Sequence, residues 1–267
     1  MNTFIESLGF DKTLSLKLQA YINKHRMKIS FFCKICRVNF EVLSFCSDLM
    51  CLAVCLEYAQ KYTFRLYEEK GISQKIFLET MKDIVIWCEN NGNKGLKNFR
   101  WIKNHLNGEL FRIGRLQYQF SVCRNVKLNY SEIPLKYGEN VIYIHIPQGE
   151  KLLISQCEQS ISNAKNFFEA YYPKYCYQFF FSESWLLYSK NKEFMQPTSN
   201  IINFQAMFDL IYSYADGRQA IERIFGNCEH NAENYPEKTT LQRSAKKYIL
   251  DGKSLGVGIG IIDKDKI

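Results

Sequence analysis

The chain has 267 residues, of which 46% are hydrophobic and 23% charged, with a formal net charge of +8. That is long enough to bury a sizeable core, and the balance excludes a disordered, collagen-like or low-complexity chain. No stretch approaches the roughly 18 consecutive apolar residues of a membrane-spanning helix, and the first dozen residues carry Glu6 and Asp11 rather than a basic-then-apolar signal; a cytoplasmic protein with no membrane partner is the expectation.

The front third reads as helices. Residues 42–67 are apolar and free of Gly and Pro, with Gly71 as a stop. Because 49–56 is apolar all round, that part should be a central buried helix. Ser73 can cap a second helix on which Ile76, Phe77, Met81, Ile84 and Trp87 recur at helical spacing. A third carries Phe99, Ile102 and Leu106 to Gly108.

Ten cysteines without a secretory signal are read as reduced thiols. The spacing Cys33-x-x-Cys36 followed by Cys51 and Cys55 raises a zinc site, but Cys51 and Cys55 are also neighbours on an apolar helix, so buried thiols are favoured and no metal is expected. Of the net charge, +6 lies in residues 1–108 and +2 in the rest. The run Lys24, Arg26, Lys28, Lys34, Arg37 can meet an anionic ligand or nucleic acid. With no nucleic-acid-binding signature in the chain, a solvated basic face is preferred.

After Gly108 the hydrophobic period becomes two. Leu116, Tyr118, Phe120 and Val122 alternate with polar residues, while Phe111 and Ile113 sit in the opposite phase, so a β-bulge or bend is expected at Gly114-Arg115. Residues 141–146 form an apolar central strand, followed by a helix from about Ser155 to Tyr171 and a second apolar strand over 177–187. This is a βαβ unit with parallel strands. Helices follow at 200–212, at 218–225 with Asp216 and Gln219 as a capping box, and at 241–250 capped by Thr240. The chain closes on a single strand in which Leu255, Val257, Ile259 and Ile261 alternate with Gly256, Gly258 and Gly260. Something must pack closely on that glycine stripe, a helix in preference to a ligand.

In an α/β sheet, ligands gather beyond the carboxyl ends of parallel strands, where helix N-termini offer free amides. The turn 146–156 is such a place: Gly149 permits close backbone approach and Lys151 adds a charge, so a pyrophosphate would suit it, although an ordinary loop is the simpler reading. Glu183, flanked by Phe181 and Trp185, is the kind of partly desolvated carboxylate that a general base requires, set against a merely solvated strand end. His145 lies inside the central strand, where a satisfied core histidine competes with a catalytic one.

Several phrases together then resemble a known family: Leu78-Glu79-Thr80-Met81-Lys82-Asp83-Ile84 with Trp87, Gly95-Leu96 with Trp101, Phe111 to Gln117, His145-Ile146-Pro147, Ser184 to Leu187, Ser199-Asn200-Ile201, Arg223 to Gly226 and Thr240-Leu241-Gln242. These resemble the bacterial acyltransferase-domain proteins, in which a helical N-acyltransferase-type region precedes a GNAT-like domain. The resemblance implies an α/β (α+β) fold: a helical region over 1–108, then a GNAT-like mixed sheet with a βαβ unit over 109–267. It also implies an acyl-CoA or acetyl-CoA co-substrate and N-acyl transfer to an amine. The donor would lie at Gln148, Gly149, Lys151 and Ser155, with Glu183 or His145 as the base. The loop departs from the family pattern, with one glycine where two are usual and an acidic Glu150 beside it. A non-catalytic GNAT-like module binding a small ligand or a partner is the alternative.

Overall fold

The computed structural model describes residues 1–125, 127–129, 132–226 and 231–267. Eleven α-helices and six strands occur among them. The helices before the sheet are α1 (Asn2–Leu8), α2 (Lys12–Cys36), α3 (Asp48–Tyr58), α4 (Phe64–Lys70), α5 (Gln74–Met81), α6 (Asp83–Asn90) and α7 (Phe99–Leu106). Then come β1 (Leu110–Ile113), β2 (Leu116–Val122), β3 (Asn140–His145), α8 (Ile154–Tyr171), β4 (Phe179–Ser184), α9 (Asn200–Gln205), β5 (Asp209–Tyr214), α10 (Arg218–Phe225), α11 (Thr240–Leu250) and β6 (Val257–Asp263). The strand order is β1-β2-β3-β4-β6-β5. No helix among the described residues is long and apolar enough to cross a membrane.

The chain forms two compact units. The first comprises residues 1–119, 146–150 and 166–173, and the second comprises 120–145, 151–165 and 174–267.

In the first unit α3 is buried from Met50 to Leu56, as its all-round apolarity demands. It starts later than the residue pattern suggests, because the Ser47 hydroxyl accepts from the amide of Met50 and caps it there. The single helix expected over 42–67 is thus a 3-10 turn (Phe40–Phe45), α3, a π-helical turn (Ala59–Thr63) and α4. Gly71 closes α4 in the left-handed region at φ 70°. Ser73 caps α5 through the amide of Ile76, and the helix breaks at Lys82 before α6. A buried carboxylate ties these helices to α7. Asp83 accepts from the indole N–H groups of Trp87 (3.1 Å) and Trp101 (2.7 Å) and lies 3.2 Å from His105 Nε2. Burial pushes its carboxyl up, but the hydrogen bond and charge of His105, with bonds from Trp101 and Gln117, hold it below the usual range. Phe111 is the hub of the aromatic packing, with ring centroids of Tyr67 at 5.8 Å, Phe167 at 4.9 Å and Tyr172 at 5.5 Å.

The phase change at Gly114-Arg115 is a reversal rather than a bulge. Gly114 turns at φ 67°, Ile113 pairs with Leu116, and β1 and β2 run antiparallel as a two-residue hairpin.

In the second unit, β3 and β4 are parallel with Val141 opposite Phe179 and Tyr143 opposite Phe181, and α8 lies between them in sequence. β6 runs antiparallel to both β4 and β5. One face buries Val141, Phe179, Phe181, Ile259 and Ile261 beneath Cys123, Leu128 and Leu135. The other accommodates the glycine stripe: an added Cβ at Gly258 would lie 1.8 Å from the Leu187 carbonyl oxygen, and one at Gly256 would meet the Tyr188 ring at 2.3 Å. The element packed on the stripe is the 3-10 turn Trp185–Leu187, with Tyr188 beside it.

Three expectations are corrected here. Only Asn200–Gln205 of the helix expected over 200–212 is helical. A turn over 206–208 leads into the edge strand β5, so the closing strand has an antiparallel partner. Asp216 and Gln219 form no capping box: Gly217 is the N-cap of α10, Asp216 accepts from the amide of Arg218, and Gln219 accepts from the amide of Trp185. The cap of α11 is Thr239, in a reciprocal box with Gln242, rather than Thr240.

Cys33, Cys36, Cys51 and Cys55 are all buried. Burial raises the Cys33 and Cys51 thiols to about 12 and that of Cys36 to about 11.

Candidate functional site

Strand alternation puts Tyr143 and His145 on one face of β3, and Phe181 and Glu183 on the same face of β4. His145 and Glu183 each lie two residues beyond the last paired residues, Tyr143 and Phe181, at the carboxyl end of the parallel pair. The backbone ladder stops at Tyr143 and Phe181, although both strands continue. Side-chain hydroxyls take over beyond that point. The Tyr143 phenol accepts from the Glu183 amide at 3.1 Å and donates to the Glu183 carbonyl at 3.0 Å, while Ser182 Oγ donates to the Ile144 carbonyl at 3.1 Å. The two strands are therefore joined at this end by groups longer than a peptide hydrogen bond.

The half-buried Glu183 carboxylate is held from two sides. Tyr214 Oη donates to Oε1 at 2.6 Å and Asn125 Nδ2 donates to Oε2 at 3.1 Å. Lys127 Nζ stands 3.2 Å from the centroid of the Tyr214 ring, a cation over a π face. His145 stacks on Tyr143 with centroids 4.4 Å apart and rings 21° from coplanar. Burial, reinforced by the neighbouring carboxylate, pushes the Tyr214 phenol well above its ordinary value. Burial does the same for Tyr143, so both remain hydrogen-bond donors across the physiological range. A carboxylate fixed by two donors at the end of a parallel strand pair can accept a proton from a substrate amine.

Gln148 and Gly149 belong to the first unit. Gln148 Oε1 accepts from Asn90 Nδ2 at 3.1 Å, and Gly149, at φ 97°, has nothing within 4 Å of an added Cβ. The acidic neighbour Glu150 is paired: the guanidinium of Arg112 donates to its carboxylate at 2.5 Å. Arg115 donates to the carbonyls of Pro147 (3.0 Å) and Glu150 (2.8 Å). Both arginines are buried, so the loop 146–150 is clamped by cations from the hairpin β1-β2. Lys151 and Ser155 belong to the second unit and are exposed, Ser155 in the first turn of α8, where backbone amides lack intrahelical acceptors.

The residue pattern singles out Glu183 and His145, which the structure places near the ends of β4 and β3, but it does not single out Tyr214, Asn125, Tyr143 or the two arginines that surround the candidate residues. Tyr214 was hidden by the helical reading that ran to 212. Arg112 and Arg115 stood next to the misread turn, and only their clustering around Gly114 hinted at a shared task.

Comparison with known proteins agrees with this architecture. A family model described as a GNAT-like C-terminal domain matches residues 110–262, and one described as an N-acyltransferase N-terminal domain matches residues 41–108. No curated protein matches the sequence. Among solved structures, an acyltransferase in complex with CoA and 10C-teicoplanin superposes with a TM-score of 0.69 at 21% identity, over 80% of this chain and 66% of that one. An acyltransferase in complex with decanoyl-CoA and teicoplanin gives 0.68 at 23% identity with the same coverage. A third, with decanoyl-CoA, gives 0.67 at 24% over 80% and 64%. At these identities the likeness is one of fold, and the chain spans less than two-thirds of the length of each of these proteins.

Proposed function

Since the chain belongs to the family defined by a GNAT-like C-terminal domain, here behind an N-acyltransferase N-terminal domain, we propose that it transfers an acyl group from an acyl-CoA to an amine on a small molecule. The observation that carries this reading is Glu183, a carboxylate positioned by Tyr214 and Asn125 at the end of β4. Its task is to take a proton from the acceptor ammonium or amine, directly or through one water, as the nitrogen attacks the thioester carbonyl. The C–S bond then breaks, and the CoA thiolate leaves and takes up a proton. His145 shares the strand end and is the second candidate base. The thioester is already activated, so positioning and charge stabilisation supply most of the remaining rate.

The donor pyrophosphate is assigned to the chain segment bearing Gln148, Gly149, Lys151 and Ser155. Support comes from the left-handed, open Gly149, the amides at the start of α8 and the exposed Lys151. The Arg112 ion pair reduces the repulsion that Glu150 would exert on phosphate. The solved neighbours contain CoA or acyl-CoA, which favours the same donor here. The division of labour follows the chain, with the chemistry in 109–267 and the helical part in 1–108, in a cytoplasmic bacterial protein.

Calorimetry with acetyl-, octanoyl- and decanoyl-CoA tests the donor, and turnover with an amine panel tests the reaction. Glu183→Gln should bind donor as wild type does and lose on the order of 10²–10⁴-fold in kcat. Absence of heat with every donor removes the acyltransferase reading in favour of a non-catalytic ligand-binding module.

A further inference from the structure

Between Asp11 and Glu41 the sequence holds seven Lys and Arg residues and no acidic residue. Nearly all of this stretch is α2, which is interrupted once at His25 (φ −115°, ψ 20°). On its second half two stripes run along opposite sides. Ile29, Cys33 and Cys36, spaced by four and three, are buried in the first unit. Met27, Phe31 and Lys34, at the same spacing, face away from them. Met27 is 89% exposed and Phe31 61%, and Val38 and Phe45 just beyond the helix are exposed at 93% and 90%. Lys24, Lys28 and Lys34 are exposed and take part in no salt bridge among the described residues.

From this arrangement we infer that α2 is a docking surface for an anionic lipid bilayer, lying in the headgroup plane with Met27 and Phe31 inserted and the lysines on the phosphates. Charge decides the class of partner: a helix that carries six Lys and Arg residues and no acidic residue is attracted to a negative leaflet, gains no such attraction from a neutral one and is repelled by a basic one. The apolar side chains decide against nucleic acid, because Met and Phe outside a base stack gain nothing along a phosphate backbone, whereas both gain by leaving water for the acyl boundary. The inference is independent of the acyl-transfer reading and involves none of its residues.

The test is co-sedimentation of the full chain with phosphatidylcholine vesicles, with phosphatidylcholine–phosphatidylserine vesicles, and titration with duplex DNA. Binding is expected to the anionic vesicles alone and should weaken as salt rises. The double variant Met27→Ser/Phe31→Ser should lower partitioning by at least about tenfold. Lys24→Gln/Lys28→Gln should lower it about 25-fold, at roughly fivefold per cation. All four side chains are exposed, so melting temperatures should match the wild type. If the apolar pair nevertheless lowers melting, the lysine pair carries the test. Failure to bind anionic vesicles overturns the proposal. So does wild-type partitioning by the apolar variant, or DNA binding in place of lipid binding.

Discussion

Gly258→Ala tests the packing of the glycine stripe directly. In a strand interior, alanine would ordinarily be the better residue by about 0.5–1 kcal/mol, because it loses less backbone freedom on folding. Here the added methyl would sit 1.8 Å from the oxygen and 2.3 Å from the carbonyl carbon of Leu187, and 2.9 Å from the nitrogen of Tyr188. Relief to ordinary contact near 3.5 Å therefore needs a backbone shift of about 1.7 Å. The obstructing turn is not free to move. Asn191 Nδ2 donates to the carbonyls of Trp185 (2.8 Å) and Leu186 (3.2 Å), and Gln205 Nε2 donates to that of Tyr188 (2.8 Å). Overpacking against pinned backbone belongs at the upper end of its range, about 3 kcal/mol, which for a chain of this size lowers Tm by about 6–12 °C. Scanning calorimetry of the variant beside Gly217→Ala separates the two effects, since a methyl at Gly217 meets Ile221 at 3.4 Å, an ordinary contact. A Gly258→Ala protein that melts with the wild type would refute the seating of Trp185–Leu187 on β6.

Two further outcomes can be checked without knowing the substrate. Because the Asp83 carboxyl is held below its ordinary range in the folded chain, the unfolded chain takes up that proton first as pH falls. The stabilisation is therefore complete above about pH 4 and drains below it, so Asp83→Asn should flatten the acid limb of the Tm–pH curve; parallel limbs would contradict the network drawn around it. Cys176 is exposed, whereas burial raises Cys51 and Cys88 to about 12. Peptide mapping after brief iodoacetamide treatment at neutral pH should find Cys176 alkylated while Cys51 and Cys88 are protected, and comparable labelling of Cys51 would show that α3 is not buried.

Where structure follows from short-range chemistry, it was legible in the residues. The βαβ unit, the buried α3, the stop at Gly71 and the cap at Ser73 each depend on a few neighbours in sequence. The failures are of another kind. Ile201, Ile202, Met207, Phe208 and Ile211 have helical spacing up to the residue where β5 bonds to β6, and an edge strand with exposed Asp209 and Leu210 shows no clean alternation to contradict it. A two-residue reversal and a bulge both flip the hydrophobic phase, so Gly114-Arg115 read alike either way. The site shows the same split. Glu183 and His145 end apolar strands and were visible, whereas Tyr214 reaches Glu183 only because β6 pairs with both β4 and β5, a relation no local window contains.

The composition of the first unit sets an order of events during synthesis. Phe111 completes its packing only with Phe167, Phe168 and Tyr172, which lie more than fifty residues further along the chain. A nascent chain ending shortly after β2 therefore lacks part of its own core, however well α1 to α7 have formed, and the exposed aromatic face must wait, shielded or not, while the ribosome adds β3 and all of α8. No single cut in the chain yields the whole first unit by itself, and expression of residues 1–119 alone would leave Phe111 facing water.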